Sequence, residues 1–167
     1  MGSTSANNPH AICIPLPVHG HITPMMQFAK LLYFRGIHIT FVNTEFNHRH
    51  LLQSIGSDQL KGLPDFQFET ISDGLPTSNR NATQDIPSLC SSTQKYLLAP
   101  LIDLVGKLKS LSVVPDVTCI VCDALMSTGI KAAKQLGLPE FHLWTSSVCS
   151  FMAVLQFREL VKRGLRA

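Results

Sequence analysis

Several features that would indicate other classes of protein are missing from this sequence of 167 residues. No apolar run reaches the roughly 18 residues needed to span a bilayer. The first ten residues, MGSTSANNPH, lack the apolar stretch of a secretory signal. Charged residues make up 15% of the chain and the net charge is only +3, so no basic stripe indicates nucleic-acid binding. We therefore predict a cytoplasmic protein that neither spans a membrane nor binds nucleic acid.

Common signatures of nucleotide and hydrolase sites are also missing. The sequence contains no G-x-G-x-x-G, no G-x-x-x-x-G-K-[ST] and no G-x-S-x-G, so neither a dinucleotide, a phosphate loop nor a serine hydrolase is indicated. The five cysteines are an odd number, and all but Cys90 have apolar neighbours in the sequence. This favours reduced thiols buried in the core over a disulfide framework. Cys119 and Cys122 lie three apart in a predicted strand and therefore on opposite faces, where they cannot share a metal.

What the chain does contain is enough apolar residues for a core. Hydrophobic residues make up 45% of the sequence, and the length corresponds to about one domain. We predict that residues 1–9 form a disordered N-terminus and that residues 10–167 form a single domain.

The first segment of that domain predicts a strand, a turn and a helix. Residues 11–14 are apolar and predict a strand buried on both faces, and residues 19–21, His-Gly-His, follow in a turn after two prolines. Thr23 is then predicted as the helix N-cap, with Pro24 at the first helical position and Gly36 ending the helix. The turn therefore lies at the carboxyl end of a strand, where open α/β sheets bind ligands.

Further strands alternate with helices along the rest of the chain. Strands are predicted at residues 37–42, 66–70, 117–122 and 141–144. Helices are predicted at 45–52, from 85 onwards with a division at Pro100, at 124–136, and after 145–147, where the last helix turns Val148, Phe151, Met152, Leu155 and Leu160 inward. This alternation predicts an α/β fold, a Rossmann-like doubly wound parallel sheet with strand order 3-2-1-4-5.

That strand order brings two chemically useful residues to one crevice. His21 follows the first strand and Asp123 ends the fourth, and these strands are neighbours at the point where the order reverses. A carboxylate beside an imidazole makes a general base, because it stabilises the ring as the ring takes a proton. Alternatively, Asp123 caps the next helix and His21 is a polar residue at a helix start. His-x-His also occurs in barrel metallohydrolases, but a barrel needs about 250 residues, so no metal is predicted.

Five stretches in order carry a resemblance to a known family. They are PLPVHGHITPMMQFAKLLYFRGIHITFVNTEFNHRHLL, FETISDGLP, DIPSLC, VTCIVCDALMSTGIKAA and LWTSSVCSFM. Together they resemble the N-terminal half of plant family-1 UDP-glycosyltransferases, enzymes of plant secondary metabolism, and most of all the 7-deoxyloganetin glucosyltransferase-like subgroup.

The resemblance implies the N-terminal lobe of a GT-B glycosyltransferase. Such an enzyme transfers glucose with inversion from UDP-glucose to a hydroxyl of a small lipophilic alcohol or acid, such as a terpenoid. By resemblance, His21 is the catalytic base, Asp123 is its orienting carboxylate, and Thr145 and Gly20 bind the donor. UDP-glucose is then a co-substrate, and no cofactor or metal is implied.

The resemblance also implies where the acceptor binds and what is missing. His19, where relatives carry Gln, is placed in the acceptor site together with Leu89, Tyr96, Phe151 and the polar loop 77–84. The W-x-P-Q and H-C-G-W-N-S elements of the family's C-terminal, donor-binding lobe are absent from this sequence. The expectation is an acceptor-binding fragment with little or no activity alone. The alternative is a non-catalytic, truncated module that binds small lipophilic molecules.

Overall fold

The computed structural model describes residues 8–55, 63–76, 84–111 and 113–164. Most of the predicted disordered N-terminus and of the polar loop, residues 1–7 and 77–83, lies outside these ranges. The elements in chain order are β1 (His10–Ile14), α1 (His19–Phe34), β2 (His38–Thr44), α2 (Glu45–Ile55), β3 (Phe66–Ile71), α3 (Ile86–Tyr96), α4 (Leu98–Ser110), β4 (Cys119–Asp123), α5 (Ser127–Leu136), β5 (Glu140–Leu143) and α6 (Val148–Lys162). Within the described ranges, no helix has the length and apolar character to cross a membrane.

The five strands form one parallel sheet in the order β3-β2-β1-β4-β5. The predicted α/β class and the predicted strand order are therefore both confirmed. In the register of the central strands, Ile12 of β1 lies beside Thr40 of β2 and Ile120 of β4. The carboxyl ends of β1 and β4 consequently reach the same edge of the sheet.

Hydrophobic cores cover both faces of the sheet. On one face, Ile12 and Ile120 pack with residues of α4 and α5 such as Leu101 and Ala132. On the other face, residues of α1, including Met25, pack on alternate residues of the central strands. All five residues of β1 are buried, because helices cover both sides of a parallel sheet.

The predicted start of α1 is wrong by five residues. The helix begins at His19, after Val18 in an extended conformation, because the Val18 carbonyl already accepts hydrogen bonds from the backbone N–H of His21 (2.8 Å) and of Ile22 (3.0 Å). Pro24 therefore lies inside the helix, where its missing N–H leaves out one helical bond. The predicted end is confirmed, since Gly36 follows the helix with φ of 81°. His19, Gly20 and His21 thus form the first helical turn.

The prediction that the last helix turns its apolar residues inward is also wrong. No residue of α6 is buried, and Phe151 is 41% exposed. Periodicity identifies the apolar residues of a helix but not the surface that covers them. Cys149, predicted to lie in apolar surroundings, is exposed for the same reason. The division of the long helix is confirmed, although it occurs at Leu97 and not at the proline.

One buried histidine links the amino ends of three segments of the sheet. His10 is completely buried. Its Nδ1–H donates to the carbonyl of Pro115 at 2.8 Å, so its Nε2 accepts from the hydroxyl of Thr40, also at 2.8 Å. Both nitrogens of the neutral ring therefore have a partner, and burial disfavours the charged ring. Burial, reinforced by the neighbouring His38, lowers the pKa of His10 from 6.5 to about 4.

The free energy of unfolding should therefore depend on pH through His10. The unfolded chain takes a proton near pH 6.5 and the folded chain only near pH 4, so the contribution is complete above pH 6.5 and is lost as the pH falls towards 4. The loss amounts to about 3 kcal/mol. Urea titrations between pH 4 and 7 would measure it, and His10→Gln should flatten this slope. His142→Gln, which removes an imidazole that is 32% exposed, should keep it. Equal slopes in the two variants would contradict the assignment.

Candidate active site

Two residues meet where the carboxyl ends of β1 and β4 adjoin. His21 is in the first turn of α1, directly after β1, and Asp123 is the last residue of β4. His21 Nδ1 lies 2.7 Å from Asp123 Oδ2. The His21 side chain is 19% exposed, whereas that of Asp123 is 1% exposed. The neighbouring position predicted from the strand order is confirmed, while the catalytic roles of the two residues stay predictions.

The two oxygens of Asp123 hold different partners. Oδ2 faces His21, and Oδ1 accepts the backbone N–H of Leu125 at 3.0 Å. The Asp123 carbonyl accepts the N–H of Met126 at 2.9 Å, and it is Met126 that stands at the N-cap of α5. The alternative that Asp123 is the N-cap of α5 is therefore wrong. Its carboxylate instead orders the turn before α5, and the same turn fixes its orientation towards His21.

Thr145 contacts the same nitrogen of the His21 ring, Nδ1. Its Oγ1 lies 2.9 Å from His21 Nδ1. The buried carboxylate of Asp123 needs a donor, so Nδ1 carries the proton, and Thr145 Oγ1 accepts a share of that single N–H. Two consequences follow. The Thr145 hydroxyl keeps its own hydrogen to donate elsewhere, and His21 Nε2 carries the lone pair that can take a proton.

The segment after β5 holds Thr145 in place. Trp144 Nε1–H donates to the carbonyl of Ser147 at 3.0 Å, and Ser147 Oγ caps α6 by accepting the N–H of Ser150 at 3.2 Å. The Trp144 ring also contacts the ring of Phe151 edge-on, with centroids 5.3 Å apart. The predicted cap within residues 145–147 is thus Ser147, which leaves the Thr145 hydroxyl for His21.

Other predicted site residues are spread over the fold. Gly20 is exposed beside His21, with no atom within 4 Å of the place a Cβ would take. Leu89 is buried, at 2% exposure, while Tyr96 lines a separate open cavity of about 460 Å³. Phe151 lies on Trp144. Their binding roles stay predictions, and of the predicted polar loop only residue 84 lies within the described ranges.

His19 belongs to a different surface of α1. Residues two apart in a helix point about 200° apart around its axis, so His19 points away from the crevice that holds His21. It lines a cavity of about 350 Å³ together with Ile22, Asn43, Asn47, His50 and Leu51. From the sequence, only a helix at residues 45–52 was predicted here, and this grouping was not. A signal was present in the polar run N-T-E-F-N-H-R-H. In that run Asn43, Asn47 and His50 are four and three residues apart, a spacing that places side chains on one side of a helix.

The buried thiols are inert groups of the core. Cys122 packs with Ile12 on one face of the sheet and Cys119 packs on the other, as their spacing predicts. Burial raises the pKa of the Cys122 thiol to about 12, so it stays protonated and is a poor metal ligand. Of the residues the structure describes, no three His, Cys, Asp or Glu side chains are grouped to hold a metal ion.

Comparison with protein families gives one match over nearly the whole chain. The family described as "Glycosyltransferase, N-terminal domain" matches residues 10–165. Linamarin synthase 1 of Manihot esculenta is 54% identical over 99% of this chain and 34% of its own length. A 7-deoxyloganetin glucosyltransferase of Catharanthus roseus is also 54% identical, over 99% of this chain and 35% of its own length. The chain thus spans about a third of the length of these relatives.

A solved structure has the same fold. The crystal structure of Os79 from O. sativa in a complex that includes trichothecene superposes with a TM-score of 0.68 at 19% identity. The match covers 93% of this chain and 36% of the other. At that level of identity the similarity concerns the fold alone.

Proposed function

The chain belongs to the family of glycosyltransferase N-terminal domains, and from that premise we propose that it is the acceptor-binding lobe of a UDP-glucosyltransferase. The reaction is glucosyl transfer from UDP-glucose to a hydroxyl of a small lipophilic acceptor, with inversion. The observation that carries the proposal is the distance of 2.7 Å between His21 Nδ1 and Asp123 Oδ2. A carboxylate at that distance favours the ring with its proton on Nδ1 and its lone pair on Nε2. An imidazole fixed in this tautomer is suited to accept a proton.

The proposed step uses this pair as a general base. His21 Nε2 removes the proton of the acceptor hydroxyl as its oxygen attacks the anomeric carbon of the sugar. The bond from that carbon to the UDP oxygen breaks, and UDP leaves with the electron pair. The buried carboxylate of Asp123 stabilises the imidazolium that forms. UDP is already a good leaving group, so one base suffices, and the free hydroxyl hydrogen of Thr145 is available to a sugar oxygen.

The names of the relatives indicate the class of acceptor. Because one relative is named as a 7-deoxyloganetin glucosyltransferase, we propose terpenoid alcohols as acceptors.

All five cysteines are free, which supports a reducing compartment such as the cytoplasm.

A chimera tests the proposed function directly. This chain would replace the matching third of the Manihot esculenta relative, and UDP release from UDP-glucose would be measured with a panel of terpenoid alcohols. We expect acceptor-dependent release by the chimera, whereas the 167-residue chain alone should bind such alcohols without releasing UDP. A folded chimera that binds UDP but transfers to no alcohol would contradict the proposal. UDP release by the chain alone would contradict the proposal that this chain is only the acceptor-binding lobe.

Gly20→Ala tests whether Gly20 is needed for contact with the donor or for folding. The new methyl group meets no atom within 4 Å, and Ala favours a helix over Gly by about 1 kcal/mol, so the melting temperature should stay level or rise. Transfer by the chimera should fall by roughly tenfold or more, because the methyl group occupies the approach to the first turn of α1. Gly106→Ala on α4, also without a neighbour within 4 Å, is the matched control. Equal turnover in the two variants would remove Gly20 from the donor site.

A further inference from the structure

Asn43 carries a buried amide that the fold does not satisfy. It lies near the carboxyl end of β2, and strand alternation places it on the same face as Ile39 and Phe41, towards α1. It is 3% exposed. Neither its Nδ2 nor its Oδ1 has a hydrogen-bond partner among the described residues. A buried, unpaired amide is destabilising, so a leucine of nearly the same shape would suit the fold better.

Three polar groups near Asn43 already have other partners. Asn47 Nδ2 donates to the carbonyl of Pro17 at 2.9 Å, and His50 Nδ1 pairs with the carbonyl of Phe46 at 3.0 Å. The hydroxyl of Thr44 accepts the N–H of Asn47 at 3.2 Å. These contacts serve the start of α2 and the segment before α1. None of these three groups bonds to the amide of Asn43, whose Nδ2 and Oδ1 stay without a partner among the described residues.

The cavity beside Asn43 has the size and lining of a small-molecule site. Its volume is about 350 Å³, and α1, β2 and α2 all contribute to its lining. Ile22 and Leu51 provide apolar surface, and no Lys, Arg, Asp or Glu occurs among the described residues that line it. Such a cavity suits an uncharged molecule with an apolar body. An amide both donates and accepts, so it pairs best with a head group that does the same.

We propose that this cavity between α1 and α2, with Asn43 as its polar anchor, is a second binding site for an uncharged lipophilic molecule bearing a carboxamide or hydroxyl head group. The site is distinct from the crevice of His21, because His19 and His21 lie on opposite sides of α1. Its occupant therefore does not compete with an acceptor held at His21. The proposal stands whether or not the protein transfers glucose.

Benzamide is a suitable probe, since its carboxamide can form two hydrogen bonds with Asn43 at once. The 15N-labelled 167-residue chain would be titrated with benzamide, and the side-chain NH2 signals of Asn43 would be assigned from their loss in Asn43→Leu. We expect saturable shifts of these signals and of the Ile22 amide. Toluene, the apolar control ligand, should shift Ile22 without moving the Asn43 signals. Shifts confined to residues outside the cavity, or no saturable shift, would overturn the proposal.

Two variants and a control sharpen the test. Asn43→Leu should weaken benzamide binding at least about tenfold while raising the melting temperature, a combination that a merely structural amide would not produce. Ile22→Phe, which fills the cavity, should abolish binding with the Asn43 signals still present. Asn8→Leu, at an exposed position, should change neither property. Unaltered affinity in Asn43→Leu would refute the anchor, and the titration of the unaltered chain is decisive even where a variant does not fold.

Discussion

Replacing His21 by alanine is expected to reduce glucosyl transfer by the chimera roughly 10²–10⁴-fold, the contribution typical of a positioned general base. The variant removes the only group in the crevice whose proton-accepting nitrogen is set by a buried carboxylate, among the residues the structure describes. UDP binding should survive, since the change leaves the backbone of α1 intact. Single-turnover measurements with saturating UDP-glucose would isolate the chemical step.

His142→Ala provides the matched control for this result. His142 lies on β5 with a partly exposed imidazole whose Nε2 is 3.7 Å from Glu140 Oε1, and its loss should leave the transfer rate unchanged. If His21→Ala turned over at nearly the rate of His142→Ala, His21 would not be the base. A loss of thermal stability in His21→Ala alone would instead indicate that Asp123 had lost a partner it needs for folding.

Asp123→Asn is expected to have the second largest effect, because both oxygens of this carboxylate accept from N–H groups. Leu125 N–H donates to one and His21 Nδ1–H to the other, whereas asparagine offers one oxygen and one NH2. If the NH2 group faces His21, the ring must accept at Nδ1 and carry its proton on Nε2, the wrong tautomer for a base. If the NH2 group faces Leu125, it and the Leu125 N–H are two hydrogen-bond donors that face each other without an acceptor. In both cases the negative charge that stabilises the imidazolium is gone.

Transfer should therefore fall by roughly 10²-fold or more, with substrate affinity little changed. Long-range 15N–1H NMR of the His21 ring would report the tautomer, which we expect to shift towards Nε2–H in the variant. Asp103→Asn, on the exposed side of α4, is the control for loss of one carboxylate. A rate within about threefold of the unaltered chimera would mean that Asp123 serves the turn before α5 and not the base.

The strand order and the meeting of His21 with Asp123 could be predicted because they follow from rules of topology. Parallel strands joined by right-handed crossovers admit few orders, and the switch point then selects the loops that meet. The start of α1 could not be predicted from local signals. Its N-cap is Val18, which has no side-chain acceptor, so the preference for Thr at a cap pointed to the wrong residue.

Which side chains are buried was the hardest property to predict. Leu89, Tyr96 and Phe151 were grouped by resemblance, yet one is buried and two are exposed, because a helical repeat fixes spacing and not what lies opposite. Asn43 was missed for a related reason. In sequence it belongs to a helix-start signal, and only the packing of α1 and α2 shows that its amide is left without a partner.

The single N–H of His21 is shared between a residue of β4 and a residue that follows β5. Substitutions at Asp123 and Thr145 therefore act on one hydrogen, and their effects on rate should not add. The same segment, residues 144–147, also begins α6 through Trp144 and Ser147. An evolutionary change there that admits a new substrate would at the same time reset the strength of the base. Divergence of specificity in this lineage would then be epistatic, with changes near Thr145 accepted only alongside compensating changes around Asp123.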